Sequence, residues 1–247
     1  TRLFADSSRN YHSVYMLFMT SILYISFIQN NKKLPITPAF ISFIICLWSL
    51  GRSGIITSLI ILLLVIFYNI FTAKLYNKGF STVIISITII LILSIIYLFQ
   101  FNIIDNYLWG FTEKGVTDKS RGKIIEEYLY LLGQNFHNIF YGVPIEGNLT
   151  FYRYGYNLHN SFLRLHALFG LPGFVIILFA IIRSGYHLLK KNKFLFVVFI
   201  SILLRISTDQ AAFFGLMDII LVYFLFSSNH IPAQKNISHN KVTYECS

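Results

Sequence analysis

Two stretches of this chain, SLIILLLVIFYNIF from Ser58 and FVIILFAII from Phe174, contain no charged residue. A helix built from either is apolar on every side, so its natural solvent is lipid. A run of roughly 20 such residues, rising about 1.5 Å each, crosses a hydrocarbon core of about 30 Å. The rest of the chain agrees: only 12% of its 247 residues are charged, and the mean hydropathy is +0.64. No period-two alternation marks the strands of a barrel, and helices satisfy their own backbone groups in lipid.

The expected fold is therefore an all-α integral membrane protein, a polytopic helix bundle of about seven spans. They are placed near Tyr11 to Gln29, Ile36 to Leu50, Ser53 to Phe71, Phe80 to Phe99, Ser161 to Arg183, Phe194 to Ile206 and Ala211 to Phe226. Four spans fill residues 1–100, a long loop occupies 101–160, three spans follow in 161–226, and 227–247 form a polar tail. The chain opens on Thr1 without a signal-peptide pattern and reads as the later part of a longer chain. Cys46 and Cys246 are too far apart in character and sequence to suggest a disulfide framework or a metal-ligand spacing.

Lysines set the expected orientation. Lys32 and Lys33, Lys74 and Lys78, Lys190, Lys191 and Lys193, and Lys235 and Lys241 fall on alternate connections, hence on one side. The positive-inside rule makes that side cytoplasmic and the long loop periplasmic. The formal net charge of +10 then reflects topology and affinity for anionic lipid, and is no argument for nucleic acid as a partner.

The loop has order of its own. In DKSRGKIIEEYLYLLGQNF, Ile124, Ile125, Tyr128, Leu129 and Leu132 recur at helical spacing, opposed by Lys123, Glu126, Glu127 and Tyr130. This predicts an amphipathic helix on or against the membrane, capped by Asp118 or Ser120, with a turn-rich FYGVPIEGN after it.

Polar residues gather on the outward side: Arg52 in LGRSGII, Arg121 in the amphipathic helix, Arg153 nearby, and His159 with Asn160 at the next helix start. Ionisable groups near membrane helices are functional candidates, against the alternative that long basic side chains merely reach for headgroups. For Arg153, Arg164 and Arg205 that alternative is the stronger reading, although Arg153 stays among the candidate substrate-binding residues. At about 100° per residue, His159, Leu163, His166 and Gly170 share one stripe, with Gly173 close by. Glycines on such a stripe admit another backbone, so it should face protein, and Pro172 should kink the helix. His159 reads either as a base or as a capped helix start, and His166 as a packing residue. No acidic or cysteine ligand accompanies the two histidines, which argues against zinc. Arginine forks suit phosphate oxygens and a neutral histidine can take a proton, so the site suits an anionic lipid phosphate and a hydroxyl acceptor.

These residues resemble the bacterial O-antigen polymerase and O-antigen ligase superfamily over roughly Leu47 to Val175. HNSFLRLHALFGLPG fits its H-N-x9-G-x2-G pattern from His159 and Asn160 to Gly170 and Gly173; LGRSGII resembles its R-S-G helix start, and KSRGKIIEEYLYLLGQNFHNIFYGVP its external segment. The resemblance implies a GT-C-like, metal-independent glycosyltransferase of the bacterial inner membrane, using no cofactor and acting at the periplasmic face. Its partners would be an undecaprenyl-diphosphate-linked glycan, membrane lipid and a chain-length regulator. By position, Arg52 and Arg121 would bind the donor diphosphate and His159 would activate the acceptor hydroxyl. HNSF is closer to polymerase forms than to the H-N-E of some ligases. A transporter of polyprenyl-linked sugars should show two related halves with broken helices at the midplane, and no such repeat is visible. A membrane scaffold leaves Arg52, Arg121 and His159 unexplained.

Overall fold

The computed structural model describes residues 9–49, 52–73, 119–227 and 231. Among them there is helix and no strand: α1 Arg9–Gln29, α2 Thr37–Ser49, α3 Arg52–Ala73, α4 Lys119–Gln134, α5 Phe136–Tyr141, α6 Leu149–Arg153, α7 Ser161–Lys191, α8 Lys193–Ser207 and α9 Asp218–Ser227. Three of these helices are long and apolar enough to cross a membrane, at Tyr11–Gln29, Ser53–Ile70 and Ser161–Lys191. They mark a helical membrane protein. The span expected at Phe80 to Phe99 lies outside the described residues.

The last span departs from expectation. The apolar run from Ala211 suggests a helix, yet α9 begins only at Asp218. The Asp218 carboxylate accepts backbone N–H groups from Phe213 at 2.6 Å, Phe214 at 2.7 Å and Gly215 at 2.9 Å. These bonds hold Phe213 and Phe214 at φ 57° and 76°, conformations incompatible with a right-handed helix. Ten residues then remain, about 15 Å of helix.

The bundle core packs α1, α2, α3 and α8 with α7 and α9 through side chains such as Val65, Leu195, Val198, Phe199 and Phe224. Its two ends differ chemically. At one end the buried Tyr24 hydroxyl donates to the Pro35 carbonyl and accepts from Ala39 N–H, fastening the turn that carries Lys32 and Lys33. Tyr24 and Tyr68 both meet the ring of Phe194, beside Lys190, Lys191 and Lys193. At the other end the first turns of α1 and α3 touch so closely that a Cβ at Gly54 would collide with the Ser13 side chain. Ser13 in turn accepts from the guanidinium of Arg205, at the last turn of α8.

A second small core holds the loop segment. Ile124 and Tyr128 of α4 are buried with Val143, Phe151 and Leu158. The inward face of α4 is therefore a protein contact, whereas Ile125 and Leu129, expected on the same apolar face, are exposed. Helix α4 starts at Lys119, so Ser120 lies inside its first turn instead of capping it, and Asp118 lies outside the described residues.

Helix α7 breaks at Gly170, with φ 62° and ψ −167°, and not at Pro172. The two residues that follow begin a new helical segment, in whose first turn proline removes no needed donor. The break exists because α5 comes against it: a Cβ on Gly170 would strike the Phe140 carbonyl, and one on Gly142 would lie 2.5 Å from the Ala167 carbonyl oxygen. Two glycines thus let two backbones meet, which docks the loop core onto the membrane helix.

Candidate active site

His159 does not stand on the helix it precedes. Asn160 is the N-cap of α7, its side chain accepting from Phe162 and Leu163 N–H, and the chain reaches it through His159 in the left-handed region at φ 51°. The Asn157 side chain accepts the His159 N–H at 2.8 Å, stabilising a conformation that costs a non-glycine residue about 1–3 kcal/mol. The expected stripe of His159, Leu163, His166 and Gly170 is therefore broken at its first member. Instead of running up the helix, the imidazole is turned towards the segment after α8.

That segment brings Asp209, whose Oδ1 is 3.9 Å from His159 Nδ1, with the two side chains 15% and 27% exposed. The other carboxylate oxygen accepts from Arg205 Nη2 at 3.2 Å. Arg205 is fully buried, so it is no headgroup-seeking arginine; it spends its charge inside the protein on Asp209 and Ser13. A buried guanidinium needs such partners to offset its desolvation. Asp209 follows Arg205 by four residues, just beyond the end of α8, and there its carboxylate meets the guanidinium.

The two chain segments are fastened to each other. Ser161 Oγ donates to the Asp209 carbonyl at 2.8 Å and accepts N–H groups from Ala211 and Ala212, while Leu158 N–H donates to the Gln210 side chain. Neighbouring α4 contributes Arg121, whose Nη1 donates to the Thr208 carbonyl at 2.8 Å, one residue before Asp209. Arg121, Arg205, Asp209 and His159 thus form one polar group. Arg52 opens α3 at the same end of the bundle, two residues before the Gly54 that packs on Ser13.

Arg153 stands elsewhere. It is exposed at the end of α6, in a cleft with Lys123, Glu126 and Tyr130, on the far side of α4 from Arg121. Asn160 is committed to capping through its carbonyl oxygen. His166 is structural: its Nε2 donates to the Ile139 carbonyl at 2.9 Å, so Nδ1 accepts from the Tyr128 hydroxyl at 2.7 Å. Burial holds the Tyr128 phenol well above the usual tyrosine range, opposed in part by the Val143 N–H that donates to it.

Asp209 is the residue that helical spacing did not single out. Its signal was available: it is one of only 10 acidic residues, and it follows Arg205 by four at the end of an apolar run. Among the described residues, no three His, Cys, Asp or Glu side chains come close enough to hold a metal ion. Chemically the group offers a histidine backed by a carboxylate, with arginines at the same end.

No protein-family model matches the chain, and it matches no curated protein and no solved structure.

Proposed function

We propose that the protein is a membrane glycosyltransferase that polymerises undecaprenyl-diphosphate-linked oligosaccharide repeat units at the periplasmic face of the bacterial inner membrane. In this reading it has about seven spans of GT-C-like arrangement, and its lysine-rich end faces the cytoplasm. The observation that carries the proposal is the pairing of His159 with Asp209, in a group that includes Arg205 and Arg121, at the bundle end opposite the lysines. The H-N-x9-G-x2-G resemblance includes His159, and the R-S-G resemblance includes Arg52 at the same bundle end.

The chemistry is a displacement. The oxygen of an acceptor sugar hydroxyl forms a bond to the anomeric carbon of the donor as the bond from that carbon to the diphosphate oxygen breaks. The hydroxyl proton passes to His159, and the electron pair of the broken bond leaves on undecaprenyl diphosphate. Asp209 orients the imidazole and stabilises the imidazolium, as a carboxylate beside a catalytic histidine does. Arg121 and Arg52 neutralise the leaving diphosphate. The His159 to Asp209 separation of 3.9 Å is longer than a hydrogen bond, and the mechanism requires it to close when the acceptor binds.

Complementation of polymerase-null and ligase-null strains of the source organism, with wild type and His159→Ala, tests this reading. A His159-dependent glycan ladder in the polymerase-null strain supports it. Rescue of the ligase-null strain alone reassigns the acceptor to lipid A-core. No rescue of either strain by well-accumulated wild type removes the transferase and favours a transporter or scaffold.

A further inference from the structure

A cleft of about 450 Å³ opens between α4 and α6, lined by Lys123, Glu126, Glu127, Tyr130, Arg153 and Tyr154. At about 100° per residue, Tyr130 falls roughly 180° from Arg121 around α4, so the cleft and the His159 group lie on opposite sides of one helix. The cleft belongs to a built framework. Asn148 caps α6 by accepting from Thr150 and Phe151 N–H, and its amide donates to Glu127 Oε1 at 2.9 Å. That one side chain fixes α6, which carries Arg153, relative to the carboxylates of α4.

The lining defines the ligand chemistry. Lys123 and Arg153 are balanced by Glu126 and Glu127, so neither an anion nor a cation gains from the whole set. A ligand dense in hydroxyls satisfies both signs at once, donating to carboxylates and accepting from the guanidinium and ammonium. Tyr130, 64% exposed, offers a flat apolar ring face among these polar groups. Sugar rings have both features, hydroxyl edges and a C–H face.

We propose that this cleft binds sugar residues of the glycan remote from the bond being made. The inference rests on the transferase reading for its ligand class. A helix with its side chains is about 10–12 Å across, a distance that a short oligosaccharide covers in passing from the His159 group over α4. Arg153 thereby acts on the sugar chain instead of on the diphosphate.

The probe is the repeat-unit oligosaccharide released by mild acid from the cell's own lipid-linked glycan, titrated into the full-length protein in lipid nanodiscs and followed by saturation-transfer NMR. Wild type and His159→Ala bind it alike, Tyr130→Ala and Arg153→Ala each weaken binding tenfold or more, and Tyr130→Phe, which keeps the ring, binds as wild type. Absence of wild-type binding at millimolar oligosaccharide, or binding indifferent to both alanine variants, overturns the proposal. The two readings fail separately: Tyr130-dependent binding by a wild type that rescues neither null strain removes only the transferase assignment. A His159-dependent polymerase whose oligosaccharide binding ignores Tyr130 and Arg153 removes only the cleft.

Discussion

His159 Nδ1 lies 3.9 Å from Asp209 Oδ1, although 50 residues separate them in the chain and neither is inside a helix. In the transferase reading this carboxylate orients the imidazole once the pair closes to hydrogen-bond distance. Asp209→Asn should therefore lower the catalytic rate about 100-fold or more while leaving the KM for lipid-linked donor nearly unchanged. Steady-state assay of the purified protein tests this. An unchanged rate would remove Asp209 from the mechanism.

Arg205 should matter first for stability. Removing one member of a buried ion pair leaves the other uncompensated, at a cost of about 3–5 kcal/mol. Arg205→Met should lower the midpoint of thermal unfolding in detergent sharply, and adding Asp209→Leu should restore much of the loss. An exposed arginine would give neither effect.

Gly170→Ala meets two penalties, a left-handed backbone and the Phe140 carbonyl occupying the space where its Cβ would go. It should destabilise the junction between α5 and α7 by at least about 2 kcal/mol. Limited proteolysis between residues 134 and 160 reports this directly, with cutting expected in the variant well before wild type.

The buried Tyr128 phenol gives the loop core a pH signature. The Tyr128 pKa is raised by burial, so the folded state holds its proton more tightly than the unfolded state does. Its contribution is complete below the ordinary tyrosine value of about 10 and is lost as pH rises beyond it. Wild-type stability should fall above about pH 10, and the fall should be shallower in Tyr128→Phe. That variant should also cost about 1–3 kcal/mol near neutrality by leaving His166 Nδ1 without its donor.

Local signals in the sequence reached as far as local physics does. Lysine placement separated one end of the bundle, and the apolar residues Ile124 and Tyr128 marked the inward face of α4. Gly170 was legible as a site of close backbone approach, because nothing larger than hydrogen fits there. The position of His159 was not legible from periodicity, since a left-handed turn supported by Asn157 lifts it off the helix. Its partner Asp209 depends on a non-helical stretch, part of which, at Phe213 and Phe214, is held by the Asp218 carboxylate that also delays the last helix. Both features arise where side chains capture backbone N–H groups, a competition that hydrophobic period does not encode.

The transferase reading is tested most directly by single-turnover transfer from a lipid-linked repeat unit to an acceptor repeat unit, with purified wild type and His159→Ala in nanodiscs. Loss of the general base should slow bond formation by about 100- to 10,000-fold without abolishing donor binding. Equal rates in the two proteins would contradict the assignment of His159 as the base.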